Sequence, residues 1–134
     1  MRVVRGNLFH FLGDTGVVVH GVTHNKAARG GFAGAVIERF PEVQGVEHFG
    51  ILPGQVGQVH DRVLALVTQC VYGHAESWLI ARSLKELRTS AFFTGPFYLP
   101  LIGAGLGGLK REIALTAIVD ALAGDDRFTL CLQD

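Results

Sequence analysis

Apolar and polar positions along this chain follow two rhythms. Short β-branched or apolar runs alternate with longer stretches that carry a single apolar stripe. Residues 3–5 form a short strand by this measure. Residues 16–22 form a firmer one, rich in valine and bounded by Asp14 and a glycine. Phe32, Val36 and Phe40 then recur every four residues, with Ala33 and Ile37 beside them. That spacing predicts a helix with one buried face, stopped at Pro41. Residues 48–61 are glycine-rich and irregular, a loop with room for one short strand. Residues 62–71 are almost continuously apolar, as expected of a strand covered on both faces. Residues 75–88 are amphipathic, with Ile80, Leu84 and Leu87 on one face and Trp78 as a packing anchor at the start. Residues 97–103 read as a strand in which Pro100 removes a ladder donor, pointing to an edge position or a bulge. Residues 109–124 predict a third helix, with Ile113, Ala117, Ile118, Ala121 and Leu122 inward and Gly124 as its stop. Residues 127–133 are a last strand.

Strands alternating with helices over 134 residues predict one α/β domain, three-layered, with a largely parallel or mixed sheet. In such sheets ligands sit at the carboxyl ends of the strands, beside helix N-termini. Composition agrees with a globular chain: 49% of residues are apolar and 18% charged. Twelve basic and twelve acidic residues cancel, which argues against a general nucleic-acid binder but leaves room for a small anionic ligand. Cys70 and Cys131 each lie in an apolar run and are expected to be buried free thiols. No Cys/His spacing suggests zinc, and no metal or cofactor is expected. The first residues lack a secretory core, and no run approaches the ~20 apolar residues of a membrane span. A cytoplasmic monomer without membrane contact is the expectation.

Two segments have the strand–loop–helix context in which anions bind. In the first, His20 ends a strand, Thr23, His24 and Asn25 form a polar loop, and Gly30 and Gly31 open a helix. In the second, Gly103, Gly105, Gly107 and Gly108 lie between a strand and a helix. Glycines there permit close backbone approach and leave helix N–H groups available. Each loop alone is as consistent with a turn as with a phosphate cradle. The second is not a Walker loop, because no hydroxyl follows Lys110, and it comes too late in the chain for a dinucleotide fingerprint. Together the loops emerge at one sheet edge as facing nests of N–H donors, which suits a pyrophosphate. Arg29 and Lys110 are the cations beside them. His24 could serve as a general base or, protonated, hold a phosphate.

These residues resemble the macro domains, which bind ADP-ribose. The resemblance runs along nearly the whole chain: VVRGNLF, VVVHGVTHNKAARGGFAGAVIERFPE, LALVTQCVYG, SWLIARSLKEL and LPLIGAGLGGLKREI each match a family segment in order. It is strongest to short single-domain forms related to ADP-ribose 1''-phosphate phosphatases and terminal-ADP-ribose hydrolases, of a kind common in phages. It implies a three-layer α/β/α fold with a central mixed sheet. It also implies that Ile102, Gly103, Ala104, Gly105, Leu106, Gly107 and Gly108 wrap the pyrophosphate and distal ribose. Gly30, Gly31, Phe32 and Ala33 would close from the other side. Thr23 or Asn25 would face the distal ribose, and Asn7 and Leu8 the adenine. His24 and His20 are the catalytic candidates.

The departures are specific. Asn7 replaces the family's adenine-contacting Asp, Thr23 its loop Asn, and Arg29 one of its glycines. Gln69 and Gly107 stand where the terminal-ADP-ribose hydrolases carry Lys and Asp, so lysine-adduct deacylation is not expected. Three functions follow as alternatives: a hydrolase of an ADP-ribose derivative, a non-catalytic ADP-ribose-binding module, and a macro fold kept for protein interaction.

Overall fold

The computed structural model describes residues 1–24, 31–44, 50–70 and 74–133. Its six strands are β1 (Arg2–Arg5), β2 (Val17–Thr23), β3 (Val56–His60), β4 (Val63–Gln69), β5 (Phe97–Leu99) and β6 (Phe128–Leu132). They form one sheet in the order β1-β6-β5-β2-β4-β3. All neighbours are parallel except β3 and β4, so the sheet is mixed. The helices are α1 (Leu8–Phe11), α2 (Phe32–Arg39), α3 (Ser77–Thr89) and α4 (Arg111–Leu122).

Alternation along β2 explains the layering. Val17 and Val19 face one side and pack with Ile80, Leu84 and Leu87 of α3 and Ile118 and Leu122 of α4. Val18 faces the other and packs with Leu8 and Leu12 around α1 and with Val36 and Phe40 around α2. The result is a three-layer α/β/α sandwich. Each fully buried Leu, Ile or Phe in it contributes about 1.5–3 kcal/mol of transfer free energy. None of the described helices is long and apolar enough to cross a membrane.

The structure corrects several expectations. β5 is an internal strand between β6 and β2, neither an edge nor bulged in its pairing. Pro100 does not weaken it because the ladder stops one residue earlier, at Leu99. The short strand for which residues 48–61 left room is present as expected: it is β3, paired antiparallel with β4. α1 was not anticipated. It is a single turn capped by Asn7, whose Oδ1 accepts the Phe9 N–H at 3.0 Å. Trp78 is no packing anchor: it is 57% exposed, and its indole N–H donates to Glu76 Oε2 at 3.1 Å. Ile113 is 42% exposed because α4 turns Ala114, Ile118 and Leu122 inward instead.

Of the two cysteines only Cys131 is buried; Cys70 is exposed just past the end of β4. Burial pushes the Cys131 thiol up to about 11, against a small opposing pull from Arg2. Its thiolate is therefore scarce in the folded protein near neutral pH, while Cys70 is open to solvent. In native protein at about pH 8, Ellman's reagent should titrate Cys70 rapidly and reach Cys131 only after unfolding. Two fast-reacting thiols in the folded state would contradict the packing around Cys131.

Candidate functional site

β2 and β5 are parallel neighbours, so the loops that follow them leave from the same sheet edge. The loop after β2 reaches α2 through Gly31, and the loop after β5 spans residues 100–110. They meet. A side chain built on Gly31 would lie 3.1 Å from Leu106 Cδ1. Gly31 has φ +57 and ψ −132, a conformation that L side chains rarely adopt, and Leu106 is 78% exposed at the tip of its loop.

The second loop is held from inside by its own backbone. The Leu109 N–H donates to Gly103 O at 2.9 Å and the Gly108 N–H to Gly105 O at 3.1 Å. Gly107 O accepts from the Ala75 N–H at 2.8 Å, which ties the loop to the chain entering α3. The approach is so close that a Cβ on Gly107 would stand 2.7 Å from Gly103 O and 2.8 Å from Ala75 Cβ. The amides of Gly105, Leu106 and Gly107 donate to no acceptor among the described residues. Nor do those of Phe32 and Ala33 in the first turn of α2, where no side chain caps the helix. Two sets of backbone donors without acceptors thus lie on the two loops that meet at Gly31 and Leu106, and donors of this kind can bind an anion without a charged side chain.

The ends of β2 and β4 lie side by side below the first loop. The register slips between Val22 and Thr23, so that Thr23 pairs with Gln69 while Val22 pairs with Val67. Bulges of this kind re-aim side chains next to binding sites. His24 follows directly, half-buried, with its N–H donating to Gln69 O at 2.8 Å. His20 does not end the strand but lies in the middle of β2, because the ladder with β4 continues to Thr23; it is 3% exposed, and its ring sits 6.1 Å from that of Phe32. His20 is thus enclosed, whereas His24 is partly open to solvent.

On the side toward α1, the Phe32 ring stacks on Phe9 at 5.7 Å and 12°. This brings Asn7 and Leu8 to the same edge. The Leu8 side chain is committed to the core at 3% exposure, so only its backbone can face a ligand. Ile102 is likewise buried, at 3%, and anchors the start of the glycine loop in the core under Ala104 and its neighbours. The structure therefore sets Gly31 against Leu106 of the second loop, Phe32 beside Phe9 and His20, and His24 against Gln69. Asn25, Gly30 and Arg29 lie outside the described residues. Lys110 is exposed at the N-cap of α4. Among the described residues no group of three His, Cys, Asp or Glu could hold a metal ion.

Three contributors escaped the sequence reading. Phe9 was invisible because the turn that carries it was not expected. Ala75 acts through its backbone N–H, which no residue type announces. The third is His74, exposed, with its ring beside Gly108: a Cβ there would lie 2.6 Å from His74 Nδ1.

No protein-family model matches this chain, and no curated protein does. Solved structures do. The macrodomain of Thermus aquaticus DarG superposes with a TM-score of 0.74 at 22% identity, over 99% of this chain and 97% of that one. The macrodomain of Mycobacterium tuberculosis DarG gives 0.74 at 19% identity, over 98% and 96%. Thermosipho africanus DarTG, solved in complex with ADP-ribose, gives 0.74 at 17% identity, over 100% of this chain and 42% of that one. With a mixed six-stranded sheet between two helical layers and a likeness that runs from end to end, this chain has the macro-domain fold.

Proposed function

We propose that the cleft between Gly31–Ala33 and loop 103–108 binds ADP-ribose or a closely related nucleotide derivative. The observation that carries this reading is the meeting of the two glycine loops, Gly31 against Leu106, with open amides on both sides. A pyrophosphate spreads its charge over several oxygens and is matched by several N–H donors; charge-assisted bonds of this kind are worth about 1.5–3 kcal/mol each. The structural likeness to a DarTG solved with ADP-ribose supports the choice of nucleotide. Phe32, held flat by Phe9, offers an apolar wall to a ribose or base.

A second reading adds chemistry to the same cleft. On this reading His24, partly exposed and with its backbone bonded to Gln69, would take a proton from a water that attacks a terminal phosphate. The P–O bond to the distal ribose would break, and the loop amides would offset the developing charge. Gln69 and Gly107, lacking the Lys and Asp of the terminal-ADP-ribose hydrolases, leave no lysine-dependent route.

Calorimetry with ADP-ribose, followed by phosphate release from ADP-ribose 1''-phosphate, separates these readings. Absence of binding at about 1 mM ligand overturns both. Binding without phosphate release leaves a binding module. If phosphate is released, His24→Ala should lower kcat by about 100-fold with affinity nearly unchanged. Normal turnover by that variant would remove His24 from the chemistry.

A further inference from the structure

We infer that the α3/α4 face, on the helical layer that does not carry α1 and α2, pairs with a second copy of this chain. An open groove of about 880 Å³ runs between the two helices. The helices lie side by side and point the same way, because each leaves the carboxyl edge of a parallel strand. Arg88 Nη1, in the last turn of α3, donates to Ala121 O in the last turn of α4 at 3.0 Å. One end of the groove presents Trp78, 57% exposed, and Ile113, 42% exposed. Small residues, among them Ala81 and Ala117, keep its floor shallow.

The charges on its walls select the occupant. The α3 wall carries Lys85 and Arg88, and the α4 wall carries Glu112 and Asp120. Arg88 also serves its own chain, with its Nε 3.5 Å from Asp125 Oδ2. Lys85, Glu112 and Asp120 make no ion pair among the described residues. A groove basic on one wall and acidic on the other is complementary to itself under a twofold axis. If the axis runs along the groove, α3 of one copy lies over α4 of the other at the same height. Trp78 then meets Ile113 of the second copy, Lys85 meets Asp120 of the second copy, and each contact occurs twice. A twofold axis across the groove would set α3 on α3 and bring like charges together, so the charge pattern selects the first arrangement. This association departs from the monomer expected from the sequence.

Trp78 is the single tryptophan in the chain, so its emission reports on the interface directly. Sedimentation velocity from about 1 µM to about 1 mM should show a monomer–dimer equilibrium, as expected of a small face with few large apolar groups. Trp78 emission should shift to shorter wavelength over the same range. Lys85→Glu, which sets acid against Asp120 twice, should weaken the dimer by about tenfold or more. The double variant Lys85→Glu, Asp120→Lys should recover it. All these side chains are exposed, and unchanged melting temperatures would show that the variants fold. A monomer at every concentration would overturn the inference and leave the groove to some other partner. It would also be overturned by a dimer that Lys85→Glu leaves intact, or by failure of the double variant to recover association.

Discussion

Gly107→Ala should reduce ADP-ribose affinity by about 100-fold or more while leaving the protein folded. The methyl has nowhere to go: its carbon would stand 2.7 Å from Gly103 O, 2.8 Å from Ala75 Cβ and 3.0 Å from Gly103 Cα. Two of these neighbours are backbone, so the loop itself must move. Displacement breaks the Ala75–Gly107 hydrogen bond and re-aims the open amides of Gly105, Leu106 and Gly107. Losing one or two charge-assisted bonds amounts to about 3 kcal/mol, or a factor of about 100 in affinity. The fold should survive, because the loop lies at the edge of the sheet and overpacking of this kind costs about 1–3 kcal/mol. Calorimetry measures the affinity, and a thermal melt checks the fold. Gly105→Ala is the comparison: nothing lies within 4 Å of the methyl it would add, so its melting temperature should match that of the unaltered chain. Wild-type affinity in Gly107→Ala would mean that loop 103–108 is not the phosphate cradle.

The largest effect on stability should come from Phe97→Ala, which we expect to cost about 3–5 kcal/mol. Phe97 is fully buried at the start of β5, and its ring stacks on Phe128 of β6 at 4.8 Å and 26°. Arg127 covers both rings, with its guanidinium carbon 5.9 Å from the centre of Phe97 and 5.6 Å from that of Phe128. Truncation leaves a cavity between two central strands, where the sheet cannot collapse to fill it. Domains are commonly stable by about 5–15 kcal/mol, so the variant should unfold at much lower urea concentration. Phe92, one turn upstream in the same connection, is 79% exposed, and Phe92→Ala should change stability by no more than about 0.5 kcal/mol. A loss below about 1 kcal/mol for Phe97→Ala would show that the β5–β6 pairing does not depend on this stack. The two predictions are linked structurally: β5 is only three residues long and leads directly into the glycine loop.

Much of the fold was legible in the order of residues, and the limits of that reading are instructive. The valines of β2 and the apolar run of β4 mark strands because a half- or fully buried pleat selects β-branched residues over a span long enough to show it. The stripes of α2 and α3 mark helices because burial recurs with the helical period. β5 fared worse: three residues are too few to display a period, and Pro100 looked like part of a strand that ends before it. Trp78 and Ile113 show a different limit. Periodicity reports that a helix has an apolar face, but the angle at which the helix meets the sheet decides which of its large residues lie beneath it.

The candidate site divides in the same way. Local sequence marked both glycine loops and His24, because a chain that must turn tightly after a strand, or approach closely, needs glycine at those positions. The resemblance to macro domains supplied the expected fold and ligand. Only the tertiary structure decided that Gly31 meets Leu106, that Phe9 holds Phe32 flat, that Ala75 ties down Gly107, and that His20 is buried while His24 is partly open to solvent. Each of these joins residues far apart in the chain, and a sequence states local preference while contact between distant segments is set by strand order and register. The chain by itself thus determined where it could turn and which faces it must bury. The packing of the sheet against its two helical layers determined which of those turns meet.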